Sequence, residues 1–215
     1  MFVTSAATKD NDIQQLDIKA AFLHVNLREE IYLDIPQGIQ EKLGTMYKSK
    51  KDPHGLKQAP REWNRELISF LSSDLECRCV SVDEALLICK KQDEVCFVCV
   101  YVDDILLAPN SQDLMRFLVM KICERFKVGS KGEIDTFCGM QIKRSRSKRQ
   151  LHLSEPSKVE RMIENFGMGE AKEKKVPICE DVSETQDVCD QETLSSYQHL
   201  VGQLLYLSTT VRPDL

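Results

Sequence analysis

With 215 residues, 42% of them hydrophobic, the chain has enough apolar material for a core and is not a disordered tail. No apolar run approaches the roughly 20 residues of a spanning helix, and Met1–Asp12 lacks the basic region and apolar core of a signal peptide, so the reading is an intracellular protein, cytoplasmic or nuclear, not secreted and with no membrane partner. A net charge of -5 argues against strong stand-alone binding to nucleic acid, and nine irregularly spaced cysteines read as reduced thiols rather than a disulfide framework.

Ile13 to Phe22 predicts a short strand that carries one acid, Asp17, at its end and then turns towards a short helix. Leu27 to Ile35 reads as a second strand-like piece, with Ile31, Leu33 and Ile35 alternating against Tyr32 and Asp34 until Pro36-Gln37-Gly38 ends it. Lys48 to Pro60 is loop. A helix opens at Pro60, and Trp63, Leu67, Phe70 and Leu71 recur at helical spacing, so one face is buried and the sole tryptophan reads as a core anchor. Leu86 to Cys89 and Val95 to Val102 are apolar, strand-like runs. Cys96 and Cys99 form a C-x-x-C inside the second of them and read as small buried hydrophobes rather than metal ligands. The four histidines are scattered and suggest no cluster.

Further on, Asn110 or Ser111 can cap a helix that carries Leu114, Phe117, Leu118, Ile122 and Phe126. Thr136 to Ile142 and Gln150 to Leu153 predict a hairpin whose tip is basic: Lys143, Arg144, Arg146, Lys148 and Arg149. That run reads either as a solvated tip or as a contact to a phosphate backbone. Ser154 is the expected cap of another helix, with Pro156 in its first turn and Gly167 as its stop. Residues 169–192 are charged and aperiodic, a linker, and Tyr197, Leu200, Val201, Leu204 and Leu205 mark a last amphipathic helix.

The stretch that organises the chain is Phe97 to Ala108, where Asp103 and Asp104 interrupt two continuous apolar runs. The runs predict two buried strands and the acids between them a tight hairpin tip. Neighbouring carboxylates repel unless something cationic holds them, and a hard divalent ion is the usual solution; an ordinary Asp-rich turn is the other reading. Asp17, at a strand end, supplies a third carboxylate if the strands share one antiparallel sheet. There is no P-loop, no defensible Ser-His-Asp order and no dinucleotide fingerprint.

Three motifs stand in order: Gln15-Leu16-Asp17-Ile18-Lys19-Ala20-Ala21-Phe22-Leu23, then His54-Gly55-Leu56-Lys57-Gln58-Ala59-Pro60-Arg61-Glu62-Trp63, then Tyr101-Val102-Asp103-Asp104. Together they resemble the core motifs of copia-type retrotransposon reverse transcriptases. Phe137-Cys138-Gly139-Met140-Gln141-Ile142, Phe166-Gly167-Met168, and Tyr197-Gln198-His199-Leu200-Val201-Gly202 with Arg212-Pro213-Asp214 resemble the segments that follow the polymerase palm in that family.

The resemblance implies an α+β fold: a polymerase palm with an antiparallel sheet packed on helices, then a small helical thumb and connection region. The implied divisions are a palm at 1–142, a basic hairpin tip and first thumb helix at 143–168, the linker at 169–192, and the start of a connection segment at 193–215. Asp17, Asp103 and Asp104 match the catalytic acids, which would bind two magnesium ions for template-directed nucleotidyl transfer. Phe22 falls at the aromatic steric gate, Gln58 against the incoming nucleotide and template, and Tyr101 beside the primer end; a core Phe is the other reading of Phe22. Gln37, in Pro-Gln-Gly, imitates the glutamine motif but stands in the wrong interval. The expected partners are an RNA or DNA primer-template and a deoxynucleoside triphosphate.

Two departures qualify the match. Only Met1–Asp12 precede the first strand, so the expectation is a truncated portion with the fingers largely absent, completed if at all by another chain, and without ribonuclease H. Asp52-Pro53-His54 replaces the apolar pair and aromatic that usually precede Gly-Leu-Lys-Gln in the family. The alternative reading is a non-catalytic, retrotransposon-derived module that binds nucleic acid or protein, or a non-functional relic.

Overall fold

Alternation of apolar and polar residues at period two is what lets one strand serve two faces of a sheet, and it sets the architecture here. The structure, a computed structural model, describes residues 2–25, 30–33, 35, 46–49, 58–172, 174 and 190–215. Its elements in order are α1 (Phe2–Thr8), β1 (Gln14–Ile18), a 3₁₀ turn (Ala21–His24), β2 (Tyr32–Leu33), β3 (Tyr47–Lys48), α2 (Ala59–Ser73), β4 (Cys77–Val80), β5 (Asp83–Lys91), β6 (Glu94–Tyr101), β7 (Asp104–Pro109), α3 (Gln112–Arg125), β8 (Val128–Glu133), β9 (Thr136–Phe137), β10 (Met140–Ser145), β11 (Gln150–Ser154), α4 (Pro156–Asn165) and α5 (Gln191–Thr210). They form two compact units, one of Met1–Ile134 with Ser145–Leu151 and the other of Asp135–Arg144 with His152–Leu215. The fold is α+β with antiparallel sheets.

In the first unit a six-stranded sheet runs in the order β4-β5-β6-β7-β1-β8. Leu16, Ile18, Val98, Val100, Ile105 and Leu107 are buried with Trp63, Leu67 and Leu71 of α2 and Leu114, Leu118 and Ile122 of α3 in one core cluster. Each such side chain contributes about 1.5–3 kcal/mol when fully buried. On the alternate positions Gln15, Asp17, Tyr101 and Asp104 share the opposite face, and α1 lies against β6, burying Phe2 and Ala6. The predicted helices at Pro60 and after Ser111 are present, and the Ser111 hydroxyl accepts the Leu114 amide at 3.0 Å.

Several expectations change. The cap of α4 is Glu155, not Ser154; its buried carboxylate accepts the Tyr206 hydroxyl at 2.9 Å instead of an amide of its own helix, so Ser154 is left in β11. Residues 136–137 and 140–145 form two short strands either side of Cys138 and Gly139, both with positive φ, rather than one. The cysteines are not all reduced: Cys77 and Cys89 are joined by a disulfide. They are Cα partners on adjacent antiparallel strands, a proximity that their spacing of 12 residues does not announce. Cys96 fits the sequence reading, fully buried, and burial pushes its thiol up to about 12. Gln37, residues 54–57 and most of the 169–192 stretch lie outside the described residues. No helix among the described residues is long and apolar enough to cross a membrane.

Candidate active site

The β6–β7 hairpin closes through a two-residue loop, Val102-Asp103, between Tyr101 and Asp104, which are Cα partners. Val102 has φ +53°, a conformation that a β-branched residue adopts only under constraint. The constraint is visible on both loop carbonyls. The Trp63 indole N–H donates to the Val102 carbonyl at 2.6 Å, and the Ile18 amide donates to that of Asp103 at 2.8 Å. Trp63 is fully buried on α2 and stacks edge-on with Phe126, so a core helix grips the turn.

Pairing of β1 with β7 then sets Asp17 opposite Asp104. Two of the three expected acids are thus cross-strand neighbours on one face, and Asp103 is exposed on the adjoining turn. Each of the paired acids has a partner. Gln15 Nε2 donates to Asp104 Oδ1 at 3.0 Å, and the Lys19 ammonium forms an ion pair with Asp17 Oδ2. Asp17 is mostly buried, its side chain 15% exposed, whereas that of Lys19 is 56% exposed. Across the sheet edge Gly129 of β8 makes room for this pair: a Cβ there would stand 2.7 Å from Lys19 Cε and 3.4 Å from Asp17 Oδ2. Among the described residues no three acidic, cysteine or histidine side chains are gathered closely enough to hold a metal ion as they stand.

The remaining expected residues are placed as follows. Phe22 lies in the 3₁₀ turn and packs, half-buried, against the core; Gln58 is the residue before α2 and makes no side-chain cap; Tyr101 is 55% exposed. In the basic run, Lys143 and Arg144 belong to β10, and Lys148 and Arg149 are exposed in the turn after it. Arg146 is engaged by Asp12, by Glu133 at 3.5 Å and by Asp10 at 3.8 Å, and the Asp12 hydrogen bond raises its pKa further. Gln15, Lys19, Trp63 and Gly129 surround the acids but were not singled out for the site from sequence. Gln15 and Lys19, two residues either side of Asp17, were open to that inference; the Trp63 and Gly129 contacts were not, since they depend on distant pairing.

The chain belongs to the reverse transcriptase (RNA-dependent DNA polymerase) family, whose model matches residues 1–180. Its relatives place it among the copia-type elements. It is 32% identical over 98% of its length to a retrovirus-related Pol polyprotein from transposon TNT 1-94 of Nicotiana tabacum, and 32% identical over 94% to one from transposon RE1 of Arabidopsis thaliana. It spans 16% and 14% of those two polyproteins. A transposon Ty5-1 protein of Saccharomyces cerevisiae is 27% identical over 93% of this chain, which covers 65% of that protein.

Proposed function

We propose that this chain carries the nucleotidyl-transfer centre of a copia-type retrotransposon polymerase, which extends a primer on an RNA or DNA template from a deoxynucleoside triphosphate. The observation that carries the reading is the Cα pairing of Asp17 with Asp104, next to Asp103, on the sheet face away from the core helices, in a chain of this family. The donor set fits magnesium: all three residues offer carboxylate oxygen, and a cation, the Lys19 ammonium, already sits on one of them. Asp17, Asp103 and Asp104 would hold two ions, which would supply charge stabilisation and a lowered pKa for the attacking hydroxyl.

The residues around them position the acids. Trp63 and the Ile18 amide fix the two carbonyls of the turn, which limits where Asp103 and Asp104 can go. Tyr101 lies beside the primer end, Phe22 against the ribose, and Gln58 against the incoming nucleotide and template. Residues 1–142 form the palm, with the thumb and connection segments at 143–168 and 193–215.

The test is magnesium-dependent single-nucleotide extension of a primer-template by the purified chain. Asp103→Asn and Asp104→Asn are expected to lower the rate by at least about a hundredfold, the scale on which removal of transition-state charge stabilisation is felt. Unchanged extension in both variants overturns the reading. A non-catalytic nucleic-acid-binding module is the second reading, favoured by the exposure of Lys148 and Arg149. It predicts binding that is lost on reversing the charges of Lys143, Arg144, Arg146, Lys148 and Arg149 while the aspartate variants bind normally.

A further inference from the structure

Lys19 stands two residues after Asp17, directly after the last residue of β1, and its ammonium reaches back to the Asp17 carboxylate. Its main chain is fixed at two points. The Lys19 amide donates to the Lys127 carbonyl at 2.8 Å, and the Lys19 carbonyl lies 3.2 Å from the His24 ring nitrogen Nε2. The side-chain path is a groove over β8 that exists because residue 129 has no Cβ, as the 2.7 Å approach to Lys19 Cε makes plain. The seat is therefore built from two strands, and the cation in it sits on a mostly buried carboxylate.

We propose that Lys19 is a resident counter-cation, which neutralises Asp17 while no divalent ion is bound and is displaced when one binds. This rests on the metal-site reading above. The pair suits exchange. Asp17 is anchored in the sheet, whereas the half-exposed Lys19 has a flexible four-carbon stem and loses little by turning its ammonium into water. An ion arriving at Asp17 and Asp104 must expel the ammonium, so the pair raises the divalent-ion concentration at which the site fills.

The experiment is Mn2+ titration of the full chain, with free ion read by electron paramagnetic resonance and folding checked by circular dichroism. Lys19→Met is expected to bind Mn2+ about two- to fivefold more tightly than the unaltered chain, the range a partly exposed ion pair supports. Gly129→Ala, which crowds the ammonium's seat and leaves Lys19 and Asp17 in place, should shift affinity in the same direction. Weaker or unchanged binding in folded Lys19→Met, while Asp17→Asn loses the site, overturns the exchange and leaves the metal site standing. Binding that Asp17→Asn leaves untouched, or no binding by any form, overturns the metal-site reading and the exchange with it.

Discussion

The Trp63–Val102 hydrogen bond links the hydrophobic core to the candidate site through a single pair of atoms. Trp63→Phe keeps a large ring under α2 but removes the donor, and thermal unfolding should register a loss of about 1 kcal/mol. Trp63→Ala also opens a cavity and should cost about 3–5 kcal/mol. If Trp63→Phe unfolds with the unaltered chain, the turn is held by its own hairpin. Much of this site was legible at the residue level. An acid at a strand end and an acid pair between apolar runs predict three carboxylates on adjoining strands, and Asp17 does pair with Asp104. Their immediate partners were harder to read. Whether Lys19 turns to Asp17 or to water depends on a glycine 110 positions further along, and no local pattern encodes that contact.

Helix caps show where local chemistry decides and where it does not. Ser111 acts as its sequence suggests, and its hydroxyl also donates to the Glu94 carboxylate; Ser111→Ala should lower stability by about 1 kcal/mol in thermal melts. Asp190 caps α5, with its carboxylate accepting the Thr193 amide at 2.8 Å. That amide first, and then the Thr193 hydroxyl, hold the Asp190 pKa below its ordinary value. Because the folded pKa is depressed, the stabilisation is complete above the unfolded value of about 3.9 and is lost as pH falls through the folded pKa. In a proton–nitrogen correlation spectrum the Thr193 amide should therefore titrate with a midpoint below the ordinary aspartate value; a midpoint at or above it would mean the cap is absent in solution. Among strands, β6 and β7 announce themselves as apolar runs, whereas β8, Val-Gly-Ser-Lys-Gly-Glu, shows neither alternation nor β-branched density. It is a strand because β1 offers it an edge, with a register shift at Gln15/Leu16. Tertiary pairing decided what propensity left open.

Across the whole molecule, α2, α3, α4 and α5 were readable from their own helical periods and β1, β5, β6 and β7 from their apolar runs, whereas β3, β4 and β8 carried no such signal. The division into two units was less readable: the boundary at Ile134 falls inside a stretch with no change in composition, and Ser145–Leu151 groups with the first unit although Met140–Arg144 of β10 and His152–Ser154 of β11 group with the second. Within that segment Arg146 is bonded to Asp12 of the first unit. The Cys77–Cys89 disulfide closes a short loop at one end of the six-stranded sheet and should contribute about 3 kcal/mol by restricting the unfolded chain. Peptide mapping without reductant should recover the two cysteines joined, and mapping that finds both alkylated as free thiols would remove the bond from the account. Strand β4, which the disulfide pins to β5, is an outer strand of the sheet, only four residues long. Short outer strands are one way proteins keep neighbouring copies from adding on. Cutting this one bond could let β4 peel away and bare the row of amides and carbonyls on β5, a strand of nine residues. Storage in reductant should then favour fibrillar or turbid preparations whose growth scales with protein concentration, and light scattering with and without reductant would reveal it.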